Sequence, residues 1–213
     1  DRLQAAWQAL DGEPGALELI IMQFVNVIER GERASMSKRR GDFITLDNLI
    51  DQIGVDAARW FLLARSHDTT VDLDLDLARE QSADNPVYYV QYAHARIASL
   101  LAKAGDERVD AAVDAVGSRG SGEALDGAER ALISRLVAFP GEVEEAADRR
   151  APHRIAAYAL ELAQEFTAFY RDCRVVGAEP ASVESFRLAL SLATQRVIAG
   201  SLALLGVTAP ESM

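Results

Sequence analysis

The stretch Asn85-Pro86-Val87-Tyr88-Tyr89-Val90-Gln91-Tyr92-Ala93-His94-Ala95-Arg96 decides how the rest of the chain is read. Asn85 before Pro86 makes a good N-cap and first-turn pair, because proline lacks an N–H where a helix start needs none. The pattern predicts a helix to about Lys103. Tyr88 and Tyr92 share one face of it, and Tyr89 and Ala93 share another. Tyr89 beside the small Ala93 would form an aromatic wall with room next to it. A nucleobase could stack there, and half-buried core tyrosines would give the same pattern.

Downstream of that helix the chain keeps reading as helix. Asp126 and Glu129 form a capping box for a helix through Phe139. Pro140-Gly141 should break it, leaving a short helix to about Arg150. Ala151-Pro152 restarts a long helix ending near Cys173, with Ile155, Tyr158, Leu162, Phe166 and Phe169 along one side. A last helix should run from Ser182 to Leu205, closed by Gly206. Gly105 to Gly127, rich in Gly, Ser and acidic residues, reads as a variable and mobile connection with a weak apolar pattern at Val109, Val113 and Val116.

Upstream, the period changes. Leu3, Trp7 and Leu10 sit at helical spacing before a Gly-Glu-Pro-Gly break at 12–15. Leu17 to Ile28 reads as a strand, residues 29–32 as a turn, and Phe43-Ile44-Thr45 as a second strand. Thr45 can also cap a helix presenting Leu46, Leu49, Ile50 and Ile53, with Gly54 as its stop. Asp56 can cap a second helix carrying Ala57, Trp60, Phe61 and Ala64. Val71 to Leu77 alternates like a strand. The predicted architecture is mainly α: an antiparallel helical bundle over 71–213, preceded by a small α/β remnant over 1–70.

The 213 residues carry 22 Lys+Arg and 33 Asp+Glu, for a net charge of −11. That balance argues against wholesale phosphate binding, although local patches decide contacts. Cys173 is the lone cysteine, so neither an internal disulfide nor a four-thiolate zinc site can form. His67, His94 and His153 make no ligand pair, and Asp72, Asp74 and Asp76 lack the later residues of a calcium loop. No metal site is expected. The longest apolar stretch, Leu17 to Val27, is interrupted by Glu18, Gln23 and Asn26, and no membrane span is expected. The chain opens mid-pattern at Asp1, as a piece of a longer protein would.

Two basic clusters stand out. Arg30, Arg33, Lys38, Arg39 and Arg40 against Glu32 give +4 across residues 30–40. Lys38 is one of only two lysines, the other being Lys103. A hydroxyl, an ammonium and a guanidinium in succession at Ser37, Lys38 and Arg39 suit a triphosphate, and a solvated basic loop would look the same. Arg149-Arg150-Ala151-Pro152-His153-Arg154 sets three guanidiniums at a helix start, a place for phosphate or simply a solvated cap.

Met36-Ser37-Lys38-Arg39 resembles the KMSKS loop of class I aminoacyl-tRNA synthetases. Gly54-Val55-Asp56-Ala57-Ala58-Arg59 with Phe61-Leu62-Leu63 is similar to the segment that follows that loop. The run from Asp84 to Arg96, Phe169-Tyr170-Arg171-Asp172-Cys173-Arg174-Val175 and the tail Leu204 to Met213 resemble bacterial arginyl-tRNA synthetases. The resemblance implies the end of a Rossmann-type catalytic domain followed by the helical DALR anticodon-binding domain. The family's HIGH-type motif and arginine pocket would lie upstream of Asp1.

By that resemblance Met36, Ser37, Lys38 and Arg39 would bind ATP, with Lys38 stabilising the adenylation transition state. Ser35 stands where the family loop has its first lysine, which shifts phosphate work onto Lys38. Tyr89, Ala93, Tyr170 and Met213 match an anticodon-base pocket, with Tyr88, Tyr89 and Tyr92 left as alternatives for the stacking ring. Arg96, Arg154 and Arg174 are further tRNA-binding candidates. The implied partner is tRNA(Arg). ATP with Mg2+ and arginine would be handled through the N-terminal portion of a monomeric cytoplasmic parent. The piece itself would hold no tight cofactor and would not aminoacylate alone. A free-standing tRNA-binding or regulatory module and a helical protein-interaction domain are the competing readings.

Overall fold

The computed structural model describes residues 2–34, 44–115 and 124–213. Helix α1 (Arg2–Ala9) buries none of its residues. Strand β1 (Val25–Glu29) turns through Arg30-Gly31 into β2 (Glu32–Arg33). The predicted strand from Leu17 therefore begins only at Val25. Leu19, Ile20, Ile21, Met22 and Phe24 are apolar and exposed, and a β-prone sequence becomes a strand only where a neighbour pairs with it.

Helix α2 (Leu46–Leu63) is capped by Thr45, whose Oγ1 accepts the Asn48 N–H at 3.1 Å. Ile44 and Thr45 are thus a lead-in to the helix and not a strand; Phe43 lies outside the described residues. Gly54, at φ 79°, interrupts α2 where the sequence predicts a stop. Asp56 follows the kink, and its carboxylate reaches Thr208 and Gln91.

Strand β3 (Val71–Asp74) pairs parallel to β1, giving the order β2-β1-β3. The alternation predicted to Leu77 stops at Asp74, whose Oδ1 accepts the N–H groups of Asp76 and Leu77 and caps α3 (Leu75–Arg79). The strand's inward residues Val71 and Leu73 join Val27, Leu49, Ala58 and Leu75 in a small core.

The bundle then builds from α4 (Pro86–Ala104), α5 (Asp106–Asp114), α6 (Gly127–Asp148), α7 (His153–Asp172) and α8 (Ala181–Leu205). Helix α5 occupies part of the predicted loose connection, because Val109 and Ala112 find the core. Residues 116–123, Val116 included, lie outside the described residues. The capping box of α6 is present on Asp126 and Glu129. That helix runs straight through Pro140, against the predicted break. An interior proline costs about 3 kcal/mol. Leu132 and Ala146, buried on either side of it, hold the helix on α7, and Phe139 packs on Tyr158 at 5.3 Å between ring centres.

All five residues of the predicted α7 stripe are buried. Helix α8 carries Ser191, Thr194 and Ser201 in the core, each hydroxyl donating to the carbonyl four residues back at 2.8 Å. Among the described residues α8, not 17–27, is the stretch that by length and composition could cross a membrane, yet half of it is buried in the bundle as a core helix. The mainly helical architecture, with a small three-stranded unit, matches the sequence expectation.

Candidate nucleic-acid interface

Tyr88, Tyr92 and Arg96 recur every fourth residue and form one stripe on α4. The Tyr88 and Tyr92 rings lie 6° from parallel with centres 6.2 Å apart. Arg96 donates to the Tyr92 hydroxyl at 3.0 Å, and its guanidinium carbon sits 4.7 Å from the centre of that ring. The same guanidinium lies 5.5 Å from the Tyr170 ring on α7. Tyr170 in turn stacks on Phe166 with centres 6.0 Å apart. Phe166 and Phe169 are buried, and this fixes Tyr170 at the bundle edge. Tyr92 is 41% exposed and Tyr170 is 43% exposed. Two open rings flanking one cation suit a planar, electron-rich group with a nearby negative charge, as a nucleotide has.

The neighbouring face is closed. Tyr89 is half-buried and donates to Thr167 Oγ1 at 3.0 Å, while Thr167 donates to the Ala163 carbonyl at 2.8 Å. Ala93 is only 4% exposed, so the space beside Tyr89 is filled by the bundle. Arg174 is exposed just beyond α7. Its Nε donates to the Val176 carbonyl at 3.2 Å, and its own carbonyl accepts from Arg187.

The arginines around the start of α7 are engaged within the protein. Arg154 bonds Glu142 and Glu145, each at 2.8 Å. Arg149 pairs with Glu145 at 2.8 Å and Arg150 with Glu18 at 2.5 Å. Met36, Ser37, Lys38 and Arg39 lie outside the described residues. Among the described residues no group of His, Cys, Asp or Glu suits a metal ion. Burial pushes the Cys173 thiol up to about 11, so it stays protonated at neutral pH.

Sequence reasoning missed how the chain's last residues return to α2 and α4. Arg59 Nε donates to the Leu205 carbonyl at 2.8 Å. Gly206 follows at φ 67°, and a Cβ there would come within 2.4 Å of Arg59 Nε, so both the backbone and the contact require glycine. Asp56 accepts the Thr208 N–H at 3.1 Å and the Gln91 amide at 2.8 Å, and also takes the Thr208 hydroxyl. Gln91 donates to the Thr208 carbonyl at 3.0 Å. His94 Nδ1–H donates to the Pro210 carbonyl at 2.8 Å. Met213, three residues on, is 53% exposed. No local pattern announces contacts between residues more than a hundred positions apart.

The sequence profile of the DALR anticodon binding domain matches residues 90–213. An arginine–tRNA ligase of Desulfitobacterium hafniense is 45% identical over 213 residues, which is all of this chain and 37% of that protein. Among solved structures, a Campylobacter jejuni protein provisionally assigned as an arginyl-tRNA synthetase matches with a TM-score of 0.84 at 30% identity, over 100% of this chain and 44% of that one. The Thermus thermophilus arginyl-tRNA synthetase matches with a TM-score of 0.64 at 27% identity, over 90% of this chain and 35% of that one. The chain thus spans little more than a third, 37%, of the first curated relative's length. The resemblance read from the sequence motifs is the one these comparisons find.

Proposed function

The chain belongs to the DALR anticodon-binding domain family, and from that premise we propose that it is the anticodon-gripping part of an arginine–tRNA ligase. The observation that carries this reading is the open strip of Tyr92, Arg96 and Tyr170. An unstacked anticodon base lies against one of these rings, and Arg96 offsets phosphate charge beside it. Tyr88 extends the strip along α4, and Arg174 and Met213, both exposed, are further candidates to contact the RNA. Tyr89 and Ala93 support the strip from inside the bundle. The net charge of −11 disfavours diffuse phosphate binding, so recognition concentrates at this strip.

In the longer protein, the loop carrying Met36, Ser37, Lys38 and Arg39 supplies groups to ATP phosphates, with Lys38 as the catalytic cation. Arginine and ATP with Mg2+ are bound through the N-terminal portion of that longer protein, and tRNA(Arg) is the shared partner. The division falls at residues 1–70 for the end of the catalytic domain and 71–213 for the anticodon-binding domain. The parent works as a cytoplasmic monomer, and this piece by itself does not activate arginine.

Filter binding of tRNA(Arg) against an anticodon-swapped version tests the reading. Preferential retention of the native anticodon supports it, and equal retention removes it. ATP–pyrophosphate exchange by this chain alone would overturn the claim that the piece is catalytically incomplete.

A further inference from the structure

We infer that Asp56 is a positioning residue of the RNA-binding face, latching residues 205–210 onto α2 and α4 so that the chain's end is held ready on the helix that carries Tyr92 and Arg96. This rests on the function proposed above. The segment after α8 forms neither helix nor strand, and a polar tail of that kind frays unless it is tied down. Val207, buried in the core, supplies one anchor. The next is the Asp56 carboxylate, which gathers the Thr208 N–H at 3.1 Å, the Gln91 amide at 2.8 Å and the Thr208 hydroxyl.

All of these donors are neutral, so the carboxylate's charge strengthens the hydrogen bonds of the latch. Gln91 closes the ring by donating to the Thr208 carbonyl at 3.0 Å. His94 then holds Pro210 at 2.8 Å, on the same helix as Tyr92 and Arg96. The hydrogen bonds of Asp56 go to Gln91 and Thr208, not to Tyr92, Arg96 or Tyr170. Its effect is preorganisation: an RNA meeting Met213 finds the tail already ordered and need not order it on binding.

The test uses this chain with an RNA anticodon arm, comparing a complete loop with a loop made abasic at the anticodon. The wild type, Asp56→Ala, Thr208→Val and Thr208→Ser are measured for affinity, salt slope, thermal midpoint and exchange of the Thr208 amide hydrogen. Asp56→Ala should release the Thr208 amide and weaken binding of the complete loop by about tenfold, the scale of ordering a short tail on binding. The abasic loop should be affected less, and the salt slope should stay unchanged because no phosphate contact is lost. Thr208→Val should do the same in part, and Thr208→Ser should restore wild-type behaviour. If Asp56→Ala does not fold, the Thr208 pair decides. A released amide with unchanged affinity overturns the inference, as does an amide that stays protected in Asp56→Ala. Failure of the wild type to bind the complete loop better than the abasic one instead removes the underlying function.

Discussion

The guanidinium of Arg96 on α4 lies 5.5 Å from the ring of Tyr170 on α7, and this pairing joins two helices into one exposed surface. Arg96 also covers Tyr92 at 4.7 Å, so its charge is oriented by rings on both sides. The rings remain open to solvent while the guanidinium is held in place.

Tyr92→Ala and Tyr170→Ala are each expected to weaken anticodon-arm binding by about 1–3 kcal/mol, the range for one stacked base. Both side chains are more than 40% exposed, so thermal midpoints should change little. Tyr89→Ala should do the reverse. It removes a half-buried ring and a 3.0 Å bond to Thr167, and should lower stability by about 2 kcal/mol. Parallel titrations and melting curves separate the two outcomes; a Tyr170→Ala variant that loses stability but not affinity would place the ring in the core's service.

Arg154→Ala should leave RNA affinity and its salt slope unchanged, because that guanidinium already bonds Glu142 and Glu145. The pairs are partly exposed, and the stability loss should be about 1 kcal/mol. A shallower salt slope in the variant would show that Arg154 neutralises a phosphate after all.

Arg187→Leu should be far more damaging. It takes away the cation 2.7 Å from Glu129, whose side chain is 0% exposed. Removing one partner of such a buried pair costs about 3–5 kcal/mol. Adding Glu129→Met should recover much of that loss. It leaves Asp126 without the N–H acceptor that Glu129 provides at 2.8 Å, so recovery should stop about 1 kcal/mol short. Chemical denaturation of the single and double variants reads this directly.

Glu184 should contribute to acid sensitivity. The Gly177 N–H holds its carboxyl below the usual range of 4.5, with the Arg108 guanidinium adding to the effect. A folded-state pKa below the unfolded one means that the stabilisation is complete above the unfolded value and is lost as pH falls through the folded one. Glu184→Gln should therefore be less stable than wild type at neutral pH, and the gap should close as pH drops below 4.5. Urea midpoints across that range give the test, and a gap that is constant with pH would contradict it.

The helices of the bundle were readable because their signals are local. The α7 stripe from Ile155 to Phe169, the Asp126–Glu129 capping box and the Gly206 stop each lie within a few turns, where helical geometry sets which residues are neighbours. Pro140 shows the limit of local reading. Its cost was legible, but the burial on both sides that outweighs it depends on where α7 lies. Leu17 to Phe24 shows the same limit: the composition favours β structure, yet the ladder with β3 starts only at Val25.

The sequence by itself determined the helical bundle, the small α/β unit before it, and the family resemblance carried by the tyrosine-rich run and the C-terminal tail. Tertiary structure alone decided which tyrosines face outward, which arginines are already paired, and that Asp56 meets Thr208 across 152 positions. The physical reason is range: caps and periodicity act over three or four residues. The stance of Arg96 between Tyr92 and Tyr170 depends instead on how two separately specified helices pack against each other.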